Sequence, residues 1–508
     1  MSPEPASKHE RHFTTEHLVA DLGRRSVRGG AVTIGAQVLK IVMQFGVTIV
    51  LARLLKPEAF GLVAMVAVVL TFLETFKDLG LSAATVQRPT ITHEQVSTLF
   101  WINAALGLVA ALFMIPLAPL LAWFYGEPAL IDITLCLGIG FALSGLSTQH
   151  LALLRRQLRF SELAGIQMGA EIIGMAAAVV AAYEGAGYWA LILQRIVWAG
   201  CMALGGWIFC GWRPGRPSRL GDVRGLLGFG GHVTGSNLVS LFVRNMDQVL
   251  IGWYWGATPL GLYDRAYKIL LLPINNLNAP LFSVAMPALS RLANEPERYR
   301  RTYLGMVEKL SMVTMPCAAL LIAAPDLVVR FLFGPQWLAA TPIVGWLGVA
   351  ALYQPVTYTC SWLFMTQNRT QEMFRWGMIS SAMSAIAIAA GLPFGAAGVA
   401  ASFAVSGIVI RMPALFWAVG RRGPVRPLDF VKSMVPSVVA SALVVAVVLG
   451  LRHVPAVALS TLGQELIIDG AAAVVVTLIC FAVLPQSRRA LTDMRGMTGA
   501  LFQRRSHA

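Results

Sequence analysis

Charged residues are scarce in this sequence, and that shortage excludes most protein classes at once. Only 13% of its 508 residues are Asp, Glu, Lys or Arg, whereas 56% are hydrophobic, and the mean hydropathy is +0.67. A soluble globular chain carries about 25% charged residues. Apolar runs recur from Gly29 almost to the C-terminus, and a run of about 18 such residues is long enough to cross a bilayer as a helix. The sequence therefore predicts an all-α polytopic membrane protein.

The sequence also lacks the residue patterns that hold metals and cofactors. Its cysteines all lie within apolar runs and form no CxxC pair, which argues against a disulfide framework or a zinc site. The eight histidines are scattered without ligand spacing. We therefore expect no metal and no cofactor. The six cysteines are Cys136, Cys201, Cys210, Cys317, Cys360 and Cys480.

Acidic residues are fewer than basic ones, and the formal net charge is +15. The basic residues fall in short loops between apolar runs instead of clustering on a soluble face, so nucleic acid is not an expected partner. Residues 1–28 lack the apolar core and small-residue cleavage site of a signal peptide. They are predicted to form a cytoplasmic tail that leads into a retained first helix.

Fourteen membrane spans are predicted from the apolar runs. Cytoplasmic loops retain Lys and Arg, and with both termini inside, the outer loops and their span ends hold only Arg53, Lys56, Arg330 and Arg452. This alternation supports both the count and the orientation. The predicted spans are 29–54, 58–79, 98–124, 130–151, 163–183, 187–211, 227–255, 260–289, 303–324, 340–366, 372–392, 396–419, 429–451 and 464–485.

Four short segments recur in order at a nearly constant offset, which indicates an internal repeat. The offset corresponds to six spans, so the two copies would share one orientation, as in transporters built from parallel repeats. Two such bundles would enclose a central cleft suited to alternating access, while a duplicated scaffold without transport is the alternative. The matched pairs are GGAVT (29–33) with GGHVT (230–234), FGL (60–62) with LGLY (260–263), RFSE (159–162) with RTQE (369–372), and GAGYWA (185–190) with AAGVAA (396–401).

The repeat and the spans together predict the domain organisation. The first 28 residues form the cytoplasmic tail, two six-helix bundles follow, and two further helices precede a second cytoplasmic tail. The predicted ranges are 1–28 for the first tail, 29–225 for the first bundle with its connecting loop, 226–420 for the second bundle, 421–486 for the two extra helices and 487–508 for the last tail.

Several basic residues lie within the predicted spans. An ionisable group at bilayer depth costs about 2.5–3.5 kcal/mol on insertion scales, and such groups usually face a cavity or a partner. Because Arg and Lys both bind phosphate, we predict that they line a cationic cleft for an anionic substrate. Local neutralisation, of Arg244 by Asp247 or of Arg265 and Lys268 by Asp264, is the alternative. The predicted substrate-binding residues are Lys40, Arg244, Arg265, Lys268 and Arg411.

Other polar residues within the spans are assigned to ion coupling, to packing or to the lining of the cleft. Asp247 and Glu74 are candidates for ion coupling, whereas Glu171 and Arg195 are expected to pair within the first bundle. Asn275, Asn276 and Asn278 lie between Pro273 and Pro280. Their amides either line the cleft or satisfy backbone groups that the prolines leave without hydrogen bonds.

Five stretches, taken together, resemble the polysaccharide-transport family of the MOP flippase superfamily. Their likeness is to the colanic-acid-exporter and O-antigen type of translocase, and it extends over residues 25 to 420. The stretches are ARLLKPEAFGLVAM (52–65), DLGLSAATVQRPTITHEQVSTLFWINAALG (78–107), RNMDQVLIGWYWGATPLGLYDRAYKI (244–269), MPALSRLANEPERYRRTYL (286–304) and FLFGPQW (331–337).

The resemblance implies a fold like that of the multidrug antiporters of the superfamily and a location in the bacterial inner membrane. It implies translocation of an undecaprenyl-diphosphate-linked oligosaccharide from the inner to the outer leaflet during exopolysaccharide or lipopolysaccharide synthesis. The partners would be this lipid-linked substrate, the bilayer and other polysaccharide-assembly proteins. The family uses positive cavity residues on equivalent helices, which adds weight to Lys40 and Arg244.

Two other functions compete with this one. A small-molecule antiporter of the same superfamily would favour acidic cavity residues for cationic drugs. A polysaccharide polymerase would be an enzyme, and such enzymes usually have a large outer loop, whereas the outer loops predicted here are short. No nucleophile–base set is recognisable in the sequence, so we expect a transporter and not an enzyme.

The cationic cleft leads to a testable prediction. Lys40→Glu and Arg244→Glu proteins that fold should export poorly, because each change replaces a phosphate-attracting charge with a repelling one. Export of the glycan in cells that carry each variant is the measurement. Normal export by either folded variant would contradict the cleft, although the family resemblance could stand.

Overall fold

The computed structural model describes residues 22–78, 81–88, 91–217, 245–454 and 461–484. Within these ranges the regular structure is helical and contains no β-strand. This confirms the predicted all-α fold. The chain divides into two compact units, Met1–Gly261 and Leu262–Ala508.

The first unit holds eight described helices and the start of a ninth. Helix α4 packs on α5, α5 and α6 each pack on α7, and α1 packs on α6. The helices are α1 (Leu22–Leu54), α2 (Pro57–Asp78), α3 (Leu81–Gln87), α4 (His93–Tyr125), α5 (Leu130–Arg156), α6 (Phe160–Tyr183), α7 (Trp189–Cys210), α8 (Met246–Trp255) and the start of α9 (Ala257–Arg291).

The second unit contains the rest of α9 and eight further described helices. Helix α10 packs on α12 and α16, α13 packs on α14, and α16 packs on α17. These helices are α10 (Pro296–Ala323), α11 (Pro325–Phe333), α12 (Thr341–Thr366), α13 (Thr370–Gly391), α14 (Gly395–Ser406), α15 (Met412–Gly420), α16 (Pro427–Leu451) and α17 (Leu462–Val483).

Ten helical segments in the described part of the chain are long and apolar enough to cross a membrane. One of them, Thr370–Gly420, is a continuous 51-residue segment that covers two of the predicted spans. Most of the seventh predicted span, 227–255, lies outside the described residues. The polytopic character is therefore confirmed, while the count of fourteen stays a prediction.

Helix α4 has capping hydrogen bonds at both of its ends. Helix α4 begins with a capping box, in which the Thr92 hydroxyl accepts from the Gln95 backbone N–H and the Gln95 side chain accepts from the Thr92 N–H. The same helix ends at Gly126, which has φ +70° and donates its N–H to the Ala122 carbonyl. A left-handed glycine in this position satisfies a terminal carbonyl without a Cβ penalty.

The sequence repeats at 159–162 and 369–372 adopt the same local structure. The residues before them, Leu158 and Asn368, have φ values of +54° and +56°. Arg159 then donates its backbone N–H to Leu154 at 3.0 Å, and Arg369 does the same to Phe364 at 2.8 Å. Each arginine also forms an ion pair with the glutamate three residues later. These two turns support the repeat, while the domain boundaries stay predictions.

The second matched pair of the repeat forms a close backbone contact within the first unit. A Cβ on Gly61 would overlap the backbone of Ala257, and a Cβ on Gly261 would overlap the carbonyl of Pro57. The two glycines are 200 residues apart, as are their two contact partners. The first turns of α2 and α9 therefore touch backbone to backbone, and only glycine fits at the crossing.

We predict that Gly61→Ala and Gly261→Ala lower the apparent melting temperature of the detergent-purified protein. Alanine in a helix is normally favoured over glycine by about 1 kcal/mol, but a clash with backbone cannot be relieved by a rotamer change, and overpacking costs about 1–3 kcal/mol. Gly140→Ala is the control, because a Cβ there meets nothing within 4 Å. A melting temperature for Gly61→Ala as high as that of the control would contradict the crossing.

Candidate functional site

Arg411 ends a π-helical turn, Gly407–Arg411, between α14 and α15. Such turns are frequent at functional sites because they re-aim a side chain. The Arg411 guanidinium donates to the Ser384 hydroxyl at 2.7 Å, to the Tyr353 hydroxyl at 3.1 Å and to the Phe403 carbonyl at 2.6 Å. It also lies over the Phe403 ring, with 4.2 Å from Cζ to the ring centroid. Three helices thus hold this half-buried cation.

All of these partners of Arg411 are neutral. Hydroxyls, a carbonyl and an aromatic face orient the guanidinium without cancelling its charge, which an arginine retains in proteins. No carboxylate in the described part of the chain forms an ion pair with it, and its Nε is buried without a hydrogen-bond partner there. The site is therefore a fixed positive charge that uses three of its five N–H donors within the protein.

The position of the Tyr353 hydroxyl depends on a glycine at the start of the π turn. A Cβ on Gly407 would overlap that hydroxyl. The absence of a side chain at Gly407 lets α12 approach closely enough for Tyr353 to reach Arg411. We call Arg411, Tyr353, Ser384 and Phe403 the Arg411 cage.

Arg265 and Lys268, two of the predicted substrate ligands, lie together in the second unit around a buried carboxylate. Arg265 donates to Asp264 Oδ2 from Nε and Nη2 at 3.0 and 2.8 Å, and Lys268 donates to the same oxygen at 2.9 Å. Asp264 is only 4% exposed. The expected local partner is therefore present, and it offsets one of the two positive charges.

Lys40 is half-buried on α1, in the first unit. One turn further along the same face, Gln44 Nε2 donates to Glu171 Oε1 of α6 at 2.7 Å. The sequence predicted Arg195 as the partner of Glu171, and that prediction was wrong. Arg195 is exposed on α7, and the amide of Gln44 contacts the carboxylate instead.

The two ion-coupling candidates lie in different surroundings. Asp247 is 7% exposed in the first turn of α8, where its Oδ1 accepts the Gln248 backbone N–H at 2.9 Å. Glu74 is exposed near the end of α2. Arg244, the predicted partner of Asp247, lies outside the described residues, so their pairing stays a prediction.

The asparagines of α9 lie in a helix that continues past both prolines, Pro273 and Pro280. Asn278 is half-buried, and its Oδ1 is buried without a hydrogen-bond partner in the described part of the chain. The side chains of Asn275 and Asn276 lie outside the described residues. The proposed polar lining thus has one described member.

The sequence pointed to Arg411 but to none of its cage partners. Ser384, Tyr353 and Phe403 lie 27, 58 and 8 residues away from it along the chain. Gly407 is the one local signal, because an isolated glycine within a helical pattern often marks a close approach. Among the described residues, no group of three or more His, Cys, Asp or Glu could hold a metal ion.

Curated relatives match most of the chain at low identity. The teichuronic acid biosynthesis protein TuaB of Bacillus subtilis is 26% identical over 60% of this chain, which spans 64% of that protein's length. The lipopolysaccharide biosynthesis protein WzxC of Escherichia coli is 25% identical over 71% of this chain and 74% of its own. The succinoglycan biosynthesis transport protein ExoT of Rhizobium meliloti is 26% identical over 69% of this chain and 71% of its own.

Two solved structures share the fold. The lipid II flippase MurJ in an inward closed conformation has a TM-score of 0.68 at 16% identity, covering 89% of this chain and 98% of its own. An inward-facing multidrug resistance transporter of the MATE family, in the MOP superfamily, has a TM-score of 0.58 at 14% identity. The match covers 77% of this chain and 96% of that transporter. The likeness to both proteins concerns the fold alone.

A family model provides the assignment. The model described as "Polysaccharide biosynthesis protein" matches residues 50–342, which is more than half of the chain. The match includes all five stretches that carry the sequence resemblance. The chain therefore belongs to the polysaccharide biosynthesis protein family.

Proposed function

We propose that the protein is a flippase that moves a polyprenyl-diphosphate-linked oligosaccharide across the bacterial inner membrane during polysaccharide synthesis. The family assignment over residues 50–342 carries this proposal. The names of the relatives support it, because they are biosynthesis or transport proteins for teichuronic acid, lipopolysaccharide and succinoglycan. The three relatives are named for three different polysaccharides. The proposal therefore concerns the lipid-linked class of substrate and names no particular glycan.

The Arg411 cage supports a phosphate-bearing substrate. The guanidinium is held by neutral groups, so its attraction for an anion is not offset by a neighbouring carboxylate. Arginine binds phosphate oxygens through directed, charge-assisted hydrogen bonds. Because two of its five N–H donors are not used within the cage, we propose that the Arg411 guanidinium contacts the diphosphate.

The competing small-molecule antiporter would use exposed acidic groups to bind cations. Asp264 accepts from two basic side chains, and a carboxylate neutralised in this way attracts a cationic drug weakly. Glu171 accepts from the neutral amide of Gln44, which does not offset its charge. The electrostatics around Asp264 therefore favour an anionic substrate, and the fold alone favours neither.

Deletion of the gene in its native host tests the proposed function. We expect a lipid-linked oligosaccharide to accumulate on the cytoplasmic side, because synthesis continues while transfer to the outer leaflet stops. Extraction of the lipid fraction, followed by mass spectrometry of its glycan, gives both the accumulation and the sugar composition. Complementation with the intact chain is the control. A deletion strain with normal surface polysaccharide and no accumulated intermediate would contradict the flippase.

Variants of Arg411 test the anion site separately. Arg411→Gln should weaken binding of undecaprenyl diphosphate to the purified protein about tenfold or more, because a hydrogen bond to a charged group contributes about 1.5–3 kcal/mol. Arg411→Lys should retain part of the affinity, since it keeps the charge but loses the planar fork. Titration by native mass spectrometry in detergent provides the measurement.

The control for these variants is Arg421→Gln. Arg421 is exposed at the end of α15, and its Cζ lies 5.0 Å from the centroid of the Trp417 ring. The substitution therefore removes one positive charge without changing the Arg411 cage. We expect its affinity to match that of the wild type. A folded Arg411→Gln protein with wild-type affinity would remove Arg411 from the site, while the deletion experiment would still decide the function.

A further inference from the structure

Helices α16 and α17 bury an aspartate that none of the sites above includes. Asp469 lies in the second turn of α17 and is only 1% exposed. One turn further on, Ala473 belongs to an apolar cluster with Val444 and Val448 of α16 and with residues of α10 and α11. The carboxyl group is therefore enclosed by packed helices near the end of the α16–α17 pair.

The carboxyl group of Asp469 differs from the other buried carboxylates in its hydrogen bonding. Both of its carboxyl oxygens are buried without a partner in the described part of the chain. The other buried aspartates at helix packing sites differ in this respect: Asp264 accepts from Arg265 and Lys268, and Asp429 accepts from Arg300. An ionised carboxylate in a dry site without donors is strongly disfavoured, and such a group becomes neutral by taking up a proton.

Two acidic side chains near Asp469 disfavour its ionised form, whereas the nearby Arg452 favours it. Glu465 lies four residues earlier on α17, and Asp326 lies in the first turn of α11. A like charge four residues away on a helix disfavours ionisation. The nearby cation is Arg452, which follows α16, and its Nη2 already donates to Asp326 Oδ1 at 2.7 Å. Helix α10 contributes the apolar Ala319 and Ala323 to this packing.

We propose that Asp469 is a proton-binding site, occupied as the neutral carboxylic acid, whose deprotonation draws Arg452 away from Asp326. A guanidinium has five N–H donors, so Arg452 can turn towards a new carboxylate when Asp469 releases its proton to water. Asp326 lies in the first turn of α11, and the exchange therefore links proton occupancy to the start of that helix. This proposal does not rest on the flippase function.

The chemistry of the site favours a proton over a metal cation. Hard cations are bound by several oxygen ligands at once. Asp469 offers two oxygens, and no hydroxyl or amide in the described part of the chain forms a hydrogen bond with them. A proton needs one oxygen and removes the charge completely.

Infrared spectroscopy of the intact protein in lipid nanodiscs tests the proposal. At neutral pH the wild type should show a carbonyl stretching band of a protonated carboxyl group that is missing from Asp469→Asn, and the band should fade as the pH is raised. Asp429→Asn is the matched control, because the carboxylate that it removes is paired with Arg300 and should contribute no such band. Identical bands in the wild type and Asp469→Asn would overturn the proposal.

A second variant keeps the test valid if Asp469→Asn does not fold. Arg452→Gln leaves Asp469 in place but removes the cation that would stabilise its ionised form, so the band should persist to a higher pH than in the wild type. Loss of the band at the same pH would contradict the role of Arg452. Replacing choline in the buffer with sodium at constant pH should leave the carbonyl band unchanged. Loss of the band in sodium would show that a metal cation displaces the proton, and it would overturn the proposal.

Discussion

The helices of this protein are governed by the cost of placing an uncompensated charge away from water. A buried ion needs an opposite charge, a set of oriented dipoles or a proton. The second unit contains all three arrangements. Asp264 is paired with Arg265 and Lys268, Arg411 is oriented by neutral groups, and Asp469 accepts no hydrogen bond from any described residue. The chemistry of the partners, more than the depth of burial, separates the roles of these side chains.

Close backbone contacts complement this electrostatic pattern. Gly61 and Gly261 allow the first turns of α2 and α9 to touch, and Gly407 makes room for the Tyr353 hydroxyl. In both places a missing side chain brings polar groups of one helix against another. Small residues serve this purpose in membrane helices, where apolar burial alone gives little drive for association. The glycines therefore determine which polar groups can meet.

Composition and periodicity were sufficient to predict the helices, because apolar runs are local properties of the chain. The repeat was also visible locally, and its turns at Leu158 and Asn368 share their dihedral angles. Partners were harder to predict. Glu171 was matched with Arg195 on charge alone, yet α1 packs on α6 and brings Gln44 to the carboxylate. The cage around Arg411 comes from three helices, and nothing in the spacing of those residues indicates that they meet.

The contrast between Asp264 and the Arg411 cage bears on how a carrier could bind and release an anion. A cation paired with a carboxylate must give up that pair before it can bind phosphate, and the exchange gains little. A cation held by hydroxyls and a carbonyl gains a full opposite charge when the anion arrives, yet stays oriented by the same groups when the anion leaves. Reversible binding without an internal competitor is what transport demands, since uniformly tight binding would slow release. On this ground Arg411 is better suited to contact a moving diphosphate than Arg265 or Lys268.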